Sequence, residues 1–286
     1  MELMAKKQSE TAAFQGERGA FSQEAVVKLL GESAEVLPCQ RFEEVFQNLQ
    51  KKRVTAAVIP IENTLAGSVH ENYDHLLNYD FRIVGETSVR IGHNLIVPPG
   101  VSFRQVRRVF SHPVALNQCL QFFVKNPQVE KVPFYDTAGS VKMIMEKGLK
   151  DAAGIASSIA ADIYGGKILK RSIEDDRQNF TRFFLLRPRD WKAKSPLAAP
   201  KGWKTSLVFT LRNTPGTLFR ALSAFALRDI NMAKIESRPL RGKPWEYLFY
   251  LDFMGHIDDE RTRNALGHLG ELAELLRVLG CYPRGD

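Results

Sequence analysis

The sequence lacks the features that would direct a protein into a membrane or out of the cell. No apolar run in its 286 residues approaches the roughly 20 needed to cross a bilayer, and the polar stretch 1–11 has no apolar signal core. Cysteine is also scarce: Cys39, Cys119 and Cys281 are odd in number and far apart. That spacing argues against a disulfide framework and against a zinc site, which usually takes closely spaced pairs. We therefore expect free thiols, a cytoplasmic location and no metal.

Aromatic residues are missing from the densest basic segments. The 40 lysines and arginines exceed the 32 aspartates and glutamates, which gives a net charge of +8 and a pI near 9.4. Such a charge suits a nucleic acid, but it also suits a small anionic substrate. The basic segments 51–53 and 104–108 are short and have no interleaved aromatic residues to stack on bases. We expect neither a nucleic acid nor a membrane as a partner.

Strand-like and helix-like segments alternate over residues 11–187, which indicates an α/β domain. The apolar residues 55–61 predict a buried parallel strand. A strand that begins at Arg82 and runs on through Val97 would carry the chain into a second lobe, at about 95–170. The sequence therefore predicts a two-lobed α/β domain, preceded by a disordered leader, residues 1–10.

Polar residues follow the predicted strand 55–61, at the edge where open α/β sheets bind ligands. We expect the segment Thr64–Ser68 to begin the next helix, with Ser68 and backbone N–H groups facing an anion. Asn63 or Thr64 would then be the N-cap. Capping and anion binding are compatible, because a capped helix start is also an anion site.

The second lobe shows the same pattern of polar residues at predicted strand ends. His112 follows a strand and can act as a general acid, or it can close the strand end by hydrogen bonding. Gln118 is expected on the first turns of the next helix. Asp136-Thr137 and Ser157-Ser158 are expected at two further helix starts. The pattern suits a cleft lined by anion-binding helix N-termini.

The pattern changes after residue 187. Several prolines and lysines over residues 188–204 predict a linker. Residues 205–282 then follow the order βαββαβ, which indicates an α+β ferredoxin-like domain. Its strand from Trp245 to Phe253 carries Leu248 and Tyr250 on the nominally polar face. We expect that face to be exposed in a single chain and buried between two chains.

The run Asn179-Phe180-Thr181-Arg182-Phe183 is the strongest candidate for a functional motif. On an extended chain Asn179, Thr181 and Phe183 share one face, because side chains alternate along a strand. An amide and a hydroxyl that point to one spot, beside a guanidinium, can bind an oxyanion-rich molecule. The same residues also fit an ordinary strand start with polar edge positions.

Six other motifs accompany this run, and together the seven resemble the prephenate dehydratase family, with a C-terminal stretch similar to an ACT domain. The resemblance extends over almost all of the chain beyond residue 10. In chain order the other motifs are Phe14-Gln15-Gly16 through Ser22, Ile59 to Thr64 with Gly67-Ser68-Val69, Ser111-His112-Pro113 with Gln118-Cys119, Asp136-Thr137-Ala138, Ala156-Ser157 and Glu236-Ser237-Arg238-Pro239.

The resemblance implies a periplasmic-binding-protein-like catalytic domain that converts prephenate to phenylpyruvate, water and CO2 without a cofactor or metal. Thr181 would be the central catalytic group, with Asn179 and Arg182. Arg182 would clamp a carboxylate, or order the loop by pairing with one of the acids at 174–176. Glu62 would orient Asn63 or be held by a cation. The implied substrate-binding residues are Glu62, Asn63, Thr64, Ser68, Ser111, His112, Gln118, Thr137 and Phe183.

The ACT-like region implies feedback control by L-phenylalanine, bound between two such domains of a homodimer or homotetramer that assembles through ACT and catalytic domains. Family members often have Gly-Ala-Leu after the first strand, whereas this chain has Gly216-Thr217-Leu218, which leaves the sign and strength of regulation open. The implied effector site consists of Asn213, Pro215, Gly216, Thr217, Leu218, Glu236, Ser237, Arg238 and Pro239.

Two alternatives remain open at this point. An arogenate dehydratase would use the same fold and chemistry on the amino-acid analogue of prephenate. A two-lobed amino-acid or solute sensor would bind without catalysis, and would be expected to carry an export signal or a replaced catalytic threonine. Neither of those two marks of a sensor is found in the sequence.

Overall fold

A computed structural model describes residues 10–193, 197–240, 242–243 and 245–285. Residues 1–9 of the predicted leader and Pro196 of the predicted linker lie outside these ranges. The described chain forms three separate β-sheets. None of its described helices is long and apolar enough to cross a membrane.

The strands and the α-helices of the described chain are numbered separately, each in chain order. The strands are β1 (Thr11–Gln15), β2 (Glu35–Cys39), β3 (Ala56–Asn63), β4 (Gly67–Ser68), β5 (Phe81–Arg90), β6 (Asn94–Val97), β7 (Arg108–Ser111), β8 (Glu130–Pro133), β9 (Ala152–Ala156), β10 (Lys167–Lys170), β11 (Phe180–Pro188), β12 (Trp203–Leu211), β13 (Met232–Pro239), β14 (Tyr247–Met254) and β15 (Ala273–Pro283). The α-helices are α1 (Phe21–Leu30), α2 (Phe42–Gln50), α3 (His70–Asn78), α4 (Pro113–Asn117), α5 (Leu120–Val124), α6 (Thr137–Glu146), α7 (Ser158–Tyr164), α8 (Thr217–Ala226) and α9 (Glu260–Leu272).

The described chain divides into two compact units. The first comprises residues 10–79 and 87–185, and the second comprises residues 80–86 and 186–285. The division therefore falls inside β5 and β11.

One lobe of the first unit is built on a sheet in the order β2-β1-β3-β11-β5, with β4 paired to β3. Strand β1 runs parallel to both β2 and β3, as expected for strands joined by helical crossovers. The apolar residues Val45, Phe46 and Leu49 recur at helical spacing in the sequence, which indicates a helix with one apolar face. In α2 this face points inward, since all three side chains are almost wholly buried.

The other lobe is a five-stranded sheet in the order β10-β6-β9-β7-β8. Strands β8, β7 and β9 are parallel. Strand β6 pairs antiparallel with β9, and β10 pairs antiparallel with β6. Its core contains Leu95, Val97, Phe122, Phe123 and Ile155. This two-lobed α/β arrangement confirms the predicted fold class.

The predicted helix at Thr64–Ser68 was wrong. The chain reverses after β3 and forms β4, which pairs back on the end of β3, and α3 begins only at His70. Asn63 holds the reversal, because its Oδ1 accepts hydrogen bonds from the backbone nitrogens of Leu65 (3.0 Å) and Ala66 (2.8 Å). An asparagine side chain that accepts from the residues just ahead closes a turn in this way.

The predicted strand from Arg82 through Val97 is interrupted. Strand β5 ends at Arg90, and β6 of the other lobe begins at Asn94. In the crossing segment between them, the backbone nitrogen of Ile91 donates to the carbonyl of Asn179 at 2.8 Å. The chain crosses between lobes at the predicted place, but through an irregular segment.

The predicted helix that was to carry Gln118 on its first turns is two short helices, α4 and α5. Gln118 lies at the break as the C-cap of α4. Asp175 stabilises the break between the two helices. Its carboxylate accepts hydrogen bonds from the backbone nitrogens of Leu120 (2.8 Å) and Gln121 (3.0 Å) and so caps the start of α5. Residue spacing does not reveal this cap, because Asp175 lies 55 positions after Leu120 in the chain.

The second unit contains an antiparallel sheet in the order β13-β14-β12-β15. Helices α8 and α9 cover one face, and their core with the sheet includes Leu207, Phe209, Phe225, Leu251 and Phe253. The order of elements confirms the predicted βαββαβ domain.

The expectation that Leu248 and Tyr250 leave an exposed apolar face was wrong. They are only 4% and 3% exposed within the single chain. In the β12–β14 register Tyr250 lies opposite Val208, two residues from Ser206, whose Oγ bonds to Asp252 on the same face. The segment 80–86 belongs to this unit, and its Glu86 pairs with Lys204 on that face. Residues of the same chain therefore already contact this face of the sheet.

We predict that removing one partner of this ion pair strongly destabilises the second unit. Glu86 Oε1 lies 2.6 Å from Lys204 Nζ, and the side chains are 4% and 10% exposed. Glu86→Gln would leave a buried ammonium without its carboxylate and should lower the free energy of unfolding by about 3–5 kcal/mol. The measurement is urea denaturation.

The control for this prediction is Glu274→Gln. Glu274 pairs with Arg212 at 3.3 Å on the surface, with side chains 38% and 81% exposed, respectively. Surface pairs contribute at most about 1 kcal/mol. Equal and small losses in both variants would contradict the assigned role of Glu86.

Candidate active site

A cavity of about 480 Å³ lies between the two lobes of the first unit. Its walls come from both lobes and from the crossing segment at Ile91 and His93. No lysine or arginine is among the described residues that line it. The residues predicted from the sequence that line it are Asn63, Ser68, His112, Gln118, Thr137, Thr181 and Phe183.

The side-chain amide of Asn63 joins the end of β3 to the start of β11. Its Nδ2 lies within hydrogen-bonding distance of Asn179 Oδ1 (2.8 Å), Thr181 Oγ1 (2.9 Å) and the carbonyl of Phe180 (3.1 Å). Its Oδ1 is already used by the turn that follows β3. With both ends engaged, the Asn63 amide has one orientation.

The Thr181 hydroxyl accepts the hydrogen bond from Asn63 Nδ2. A hydroxyl has one proton to donate as well as lone pairs that accept, so this bond leaves the proton of Thr181 available. Thr181 is 9% exposed and lines the cavity. The geometry therefore presents a fixed hydroxyl to the cavity as a hydrogen-bond donor.

The predicted alternation of the motif on β11 is observed. Asn179, Thr181 and Phe183 are buried, whereas Phe180 is 39% exposed. Successive side chains of an extended chain point to opposite faces, which explains this pattern. Asn179 does not line the cavity but supports it from behind, because its Nδ2 donates to Gln118 Oε1 at 2.9 Å.

His93 is a wall residue that the sequence analysis missed. Its Nε2 lies 2.9 Å from Gln118 Oε1, an acceptor, so this nitrogen carries the proton and donates. Its Nδ1 is also buried, and no hydrogen-bond partner for it is found within the described part of the chain. Burial is the main cause that lowers the pKa of His93, which favours the neutral ring. His93 and Gln118 are 25 residues apart in the sequence, so their contact is visible only in the structure.

His112 takes the role of closing the strand end. Its Nδ1 accepts a hydrogen bond from the backbone nitrogen of Val114 at 3.3 Å, at the start of α4. Burial lowers the pKa of His112, so the neutral form with a protonated Nε2 fits this contact. His112 also lines the cavity, so the neutral ring is placed there as a donor.

Arg182 does not pair with the acidic run as that alternative expected. Its Nη1 lies 3.7 Å from Glu62 Oε2, and its guanidinium stacks over the Phe184 ring at 4.8 Å. Glu174 instead accepts from Arg90 and from the backbone nitrogen of His93. The alternation of β11 explains the difference, because Arg182 lies on the face opposite Thr181.

Several predicted binding residues are near the cavity but are absent from its described walls: Glu62, Thr64, Ser111, Asn179 and Arg182. Ser111 is fully buried, and its hydroxyl donates to the carbonyl of Ile155 at 2.6 Å. The Thr64 hydroxyl donates to the carbonyl of Gln178 at 2.8 Å and accepts from the backbone nitrogen of Phe180. These groups shape the walls rather than face the cavity.

The loop after β1 fastens one lobe to the other beside the cavity. Glu17 accepts hydrogen bonds from Tyr135 (2.8 Å) and Lys142 (3.1 Å) of the opposite lobe. The Ser157 hydroxyl, which also caps α7, donates to the carbonyl of Gly19 at 2.5 Å. The predicted role of Ser157 as a helix cap is thus seen, together with a contact between lobes.

Asp136, which was expected at a helix start and belongs to one of the family-like motifs, is a second wall residue that was not predicted to bind the substrate. It is the N-cap of α6, and its Oδ1 accepts from the backbone nitrogen of Gly139 at 2.7 Å. It also lines the cavity and is 8% exposed. Burial is the largest influence on its carboxyl and raises the pKa of Asp136.

A smaller cavity of about 180 Å³ lies in the second unit, at the start of α8. Asn213, Gly216, Thr217 and Leu218 of the predicted effector site line it, with other residues that include Tyr247 and Phe249. Pro215 and the segment Glu236–Pro239 are absent from its described walls, although Pro239 and Ser237 pair with Tyr247 and Phe249 across the sheet. The two halves of the predicted site are therefore neighbours.

Family models match both parts of the chain. A model described as prephenate dehydratase matches residues 12–190, and a model described as ACT domain matches residues 205–279. The groups of three or more His, Cys, Asp or Glu side chains that hold metal ions do not occur among the described residues.

The chain is also similar to characterised proteins over nearly its whole length. It is 45% identical to "Arogenate dehydratase/prephenate dehydratase 2, chloroplastic" of Arabidopsis thaliana, over 95% of this chain and 72% of that protein. A prephenate dehydratase from Arthrobacter aurescens, solved with L-Phe, superposes with a TM-score of 0.85 at 31% identity, over 96% of this chain and 90% of that one. A structure titled "GqqA- a novel type of quorum quenching acylases" superposes with a TM-score of 0.87 at 34% identity, over 96% and 98%.

Proposed function

The chain belongs to the prephenate dehydratase family and carries an ACT domain, and from that premise we propose that it is a carbon–oxygen lyase of aromatic amino-acid biosynthesis. It removes the ring hydroxyl and the ring carboxylate of its substrate together, as water and CO2. Prephenate would give phenylpyruvate, and arogenate would give L-phenylalanine. Relatives with both names support the proposal without separating the two substrates.

The chemistry needs a donor at the departing oxygen. As the bond to CO2 breaks, its electron pair enters the ring, which becomes aromatic, and the hydroxyl leaves and takes up a proton to become water. Thr181 is too weak an acid to give up its own proton, so we assign it a hydrogen bond to the departing oxygen. A preorganised donor of this kind can contribute roughly 3–4 kcal/mol to catalysis.

The anionic groups of the substrate have to be bound, and the cavity provides uncharged hydrogen-bond donors for them. Thr137 begins the ten-residue helix α6, whose N-terminal N–H groups favour anions. Ser68, Gln118 and the neutral His112 also line the cavity. Phe183, only 2% exposed, adds an apolar wall, and an apolar wall favours a carboxylate that leaves as neutral CO2.

The single observation that carries this proposal is that the Thr181 hydroxyl accepts from Asn63 at the cavity wall, which leaves its own proton available to a substrate. A non-catalytic sensor would need binding groups but no fixed donor of this kind. Catalytic turnover that depends on the Thr181 hydroxyl is therefore expected of a dehydratase and not of a sensor.

We predict that Thr181→Ala lowers kcat about 100- to 1,000-fold while KM changes little, because the donor acts mainly on the charge that develops in the transition state. Thr181→Ser keeps the hydroxyl and should retain part of the activity, so it serves as the matched control. Steady-state kinetics with prephenate and with arogenate measure both. Near-normal turnover in the alanine variant would remove Thr181 from catalysis, and an inactive wild type would favour the sensor.

Regulation by L-phenylalanine is the second part of the proposal. Support comes from the match to the ACT domain model, from the similar prephenate dehydratase of Arthrobacter aurescens that was solved with L-Phe, and from the small cavity at the start of α8. The effector's charged groups would meet the backbone around Asn213 to Leu218, beside the segment Glu236–Pro239. Whether L-phenylalanine inhibits or activates the enzyme is read from kinetics with and without the effector.

We predict that Leu218→Ala weakens L-phenylalanine binding about tenfold, since it removes apolar contact from the cavity wall. Leu227→Ala is the matched control, because Leu227 follows the same helix, is 78% exposed and does not line the cavity. Isothermal calorimetry on the full chain gives both dissociation constants. The absence of binding to the wild type, or equal losses in the two variants, would reject this site.

Three further points stay part of the proposal. We place the catalytic domain at residues 11–187, the linker at 188–204 and the ACT domain at 205–282. A homodimer or homotetramer would form through ACT and catalytic domains. A cytoplasmic location is consistent with Cys39, Cys119 and Cys281, which are all free thiols.

A further inference from the structure

Asp136 places a negative charge in a cavity that has to receive anionic groups. Its carboxylate is 8% exposed and lines the cavity. No lysine or arginine is among the described wall residues, and no ion pair of Asp136 is found within the described chain. Lys142 of the same helix pairs with Glu17 at 3.1 Å. Such a carboxylate is costly to bury unless a cation meets it.

The groups around Asp136 do not provide that cation. Burial raises the pKa of Asp136, and the Glu17 carboxylate is close enough to raise it further. Burial and then both acids also act on the Tyr135 and Tyr164 hydroxyls, whose pKa values they raise. Backbone N–H groups at the start of α6 and at Glu17 donate to the carboxylate. The local structure thus stabilises Asp136 by hydrogen bonds and leaves its charge unbalanced.

The two candidate substrates differ at one group beside their side-chain carboxylate. Prephenate has a ketone there, whose oxygen only accepts hydrogen bonds, and arogenate has an ammonium, which donates three and carries a positive charge. A carboxylate attracts the ammonium and repels the ketone oxygen. Arogenate also has one net negative charge fewer, which suits a cavity that already contains Asp136.

We propose that Asp136 binds the ammonium group of the substrate and makes the amino acid, arogenate, the preferred substrate over the keto acid. The inference rests on the proposed dehydratase function and refines it. The start of α6 would then recognise both ends of an amino-acid group, with N–H donors for the carboxylate and Asp136 for the ammonium. A residue chosen only as a helix cap would not need a negative charge.

Asp136→Asn separates the two roles, because asparagine caps helices about as well as aspartate but carries no charge. We expect the ratio of kcat/KM for arogenate to kcat/KM for prephenate to fall about 10- to 100-fold, the value of one charge-assisted hydrogen bond. Asp136→Ser, another capping residue, should shift the ratio in the same direction. It replaces the asparagine variant in the test if that one does not fold.

The control is Asp162→Asn on α7, which removes an exposed negative charge from the same lobe away from the cavity walls. Its ratio should equal that of the wild type. An unchanged ratio in the Asp136 variants, or an equal shift in the Asp162 variant, would overturn the role of Asp136 while leaving the dehydratase function in place. A wild type that converts neither substrate would overturn both.

Discussion

The hydrogen bonds of the Asn63 side chain are the constraint on which the active site depends. One end of the amide closes the turn after β3, and the other end reaches Asn179 and Thr181 on β11. Residues more than 100 positions apart in the chain are thereby fixed within 3 Å of each other. The Thr181 hydroxyl, to which we assign the catalytic hydrogen bond, is oriented by this contact, since a threonine hydroxyl otherwise rotates freely.

A second layer of contacts supports the first. Asn179 donates a hydrogen bond to Gln118 Oε1, and His93 donates to the same oxygen from the segment where the chain crosses between lobes. The acids at 174 and 175 fix the crossing segment and the break between α4 and α5. The acidic run before the motif is therefore structural, and the cation that it was expected to engage, Arg182, pairs with Glu62 instead.

The sequence predicted those parts of the fold that depend on local periodicity. The stripe of α2, the parallel strand β3, the βαββαβ order and the alternation of Asn179, Thr181 and Phe183 were all visible in residue spacing. The resemblance to a family supplied most of the site residues, which no spacing rule would have selected. Seven of these, from Asn63 to Phe183, line one cavity.

The features that sequence reasoning missed depend on contacts between distant residues. Strands β2 and β10 are short, and β2 contains a proline, so neither shows a clear alternation. The turn at Asn63 and the helix break at Gln118 are set by side chains that act on the backbone. Leu248 and Tyr250 looked exposed because the residues that share their face come from elsewhere in the chain.

The most direct test of this account is a double-mutant cycle on kcat with Asn63→Ala and Thr181→Ala. If Asn63 acts by orienting the Thr181 hydroxyl, the double variant should turn over about as fast as Thr181→Ala alone, because there is no hydroxyl left to orient. Asn63→Ala by itself should also be slow. Independent effects, with the double variant slowed by the product of the two single losses, would contradict the claim that the two residues act as one unit.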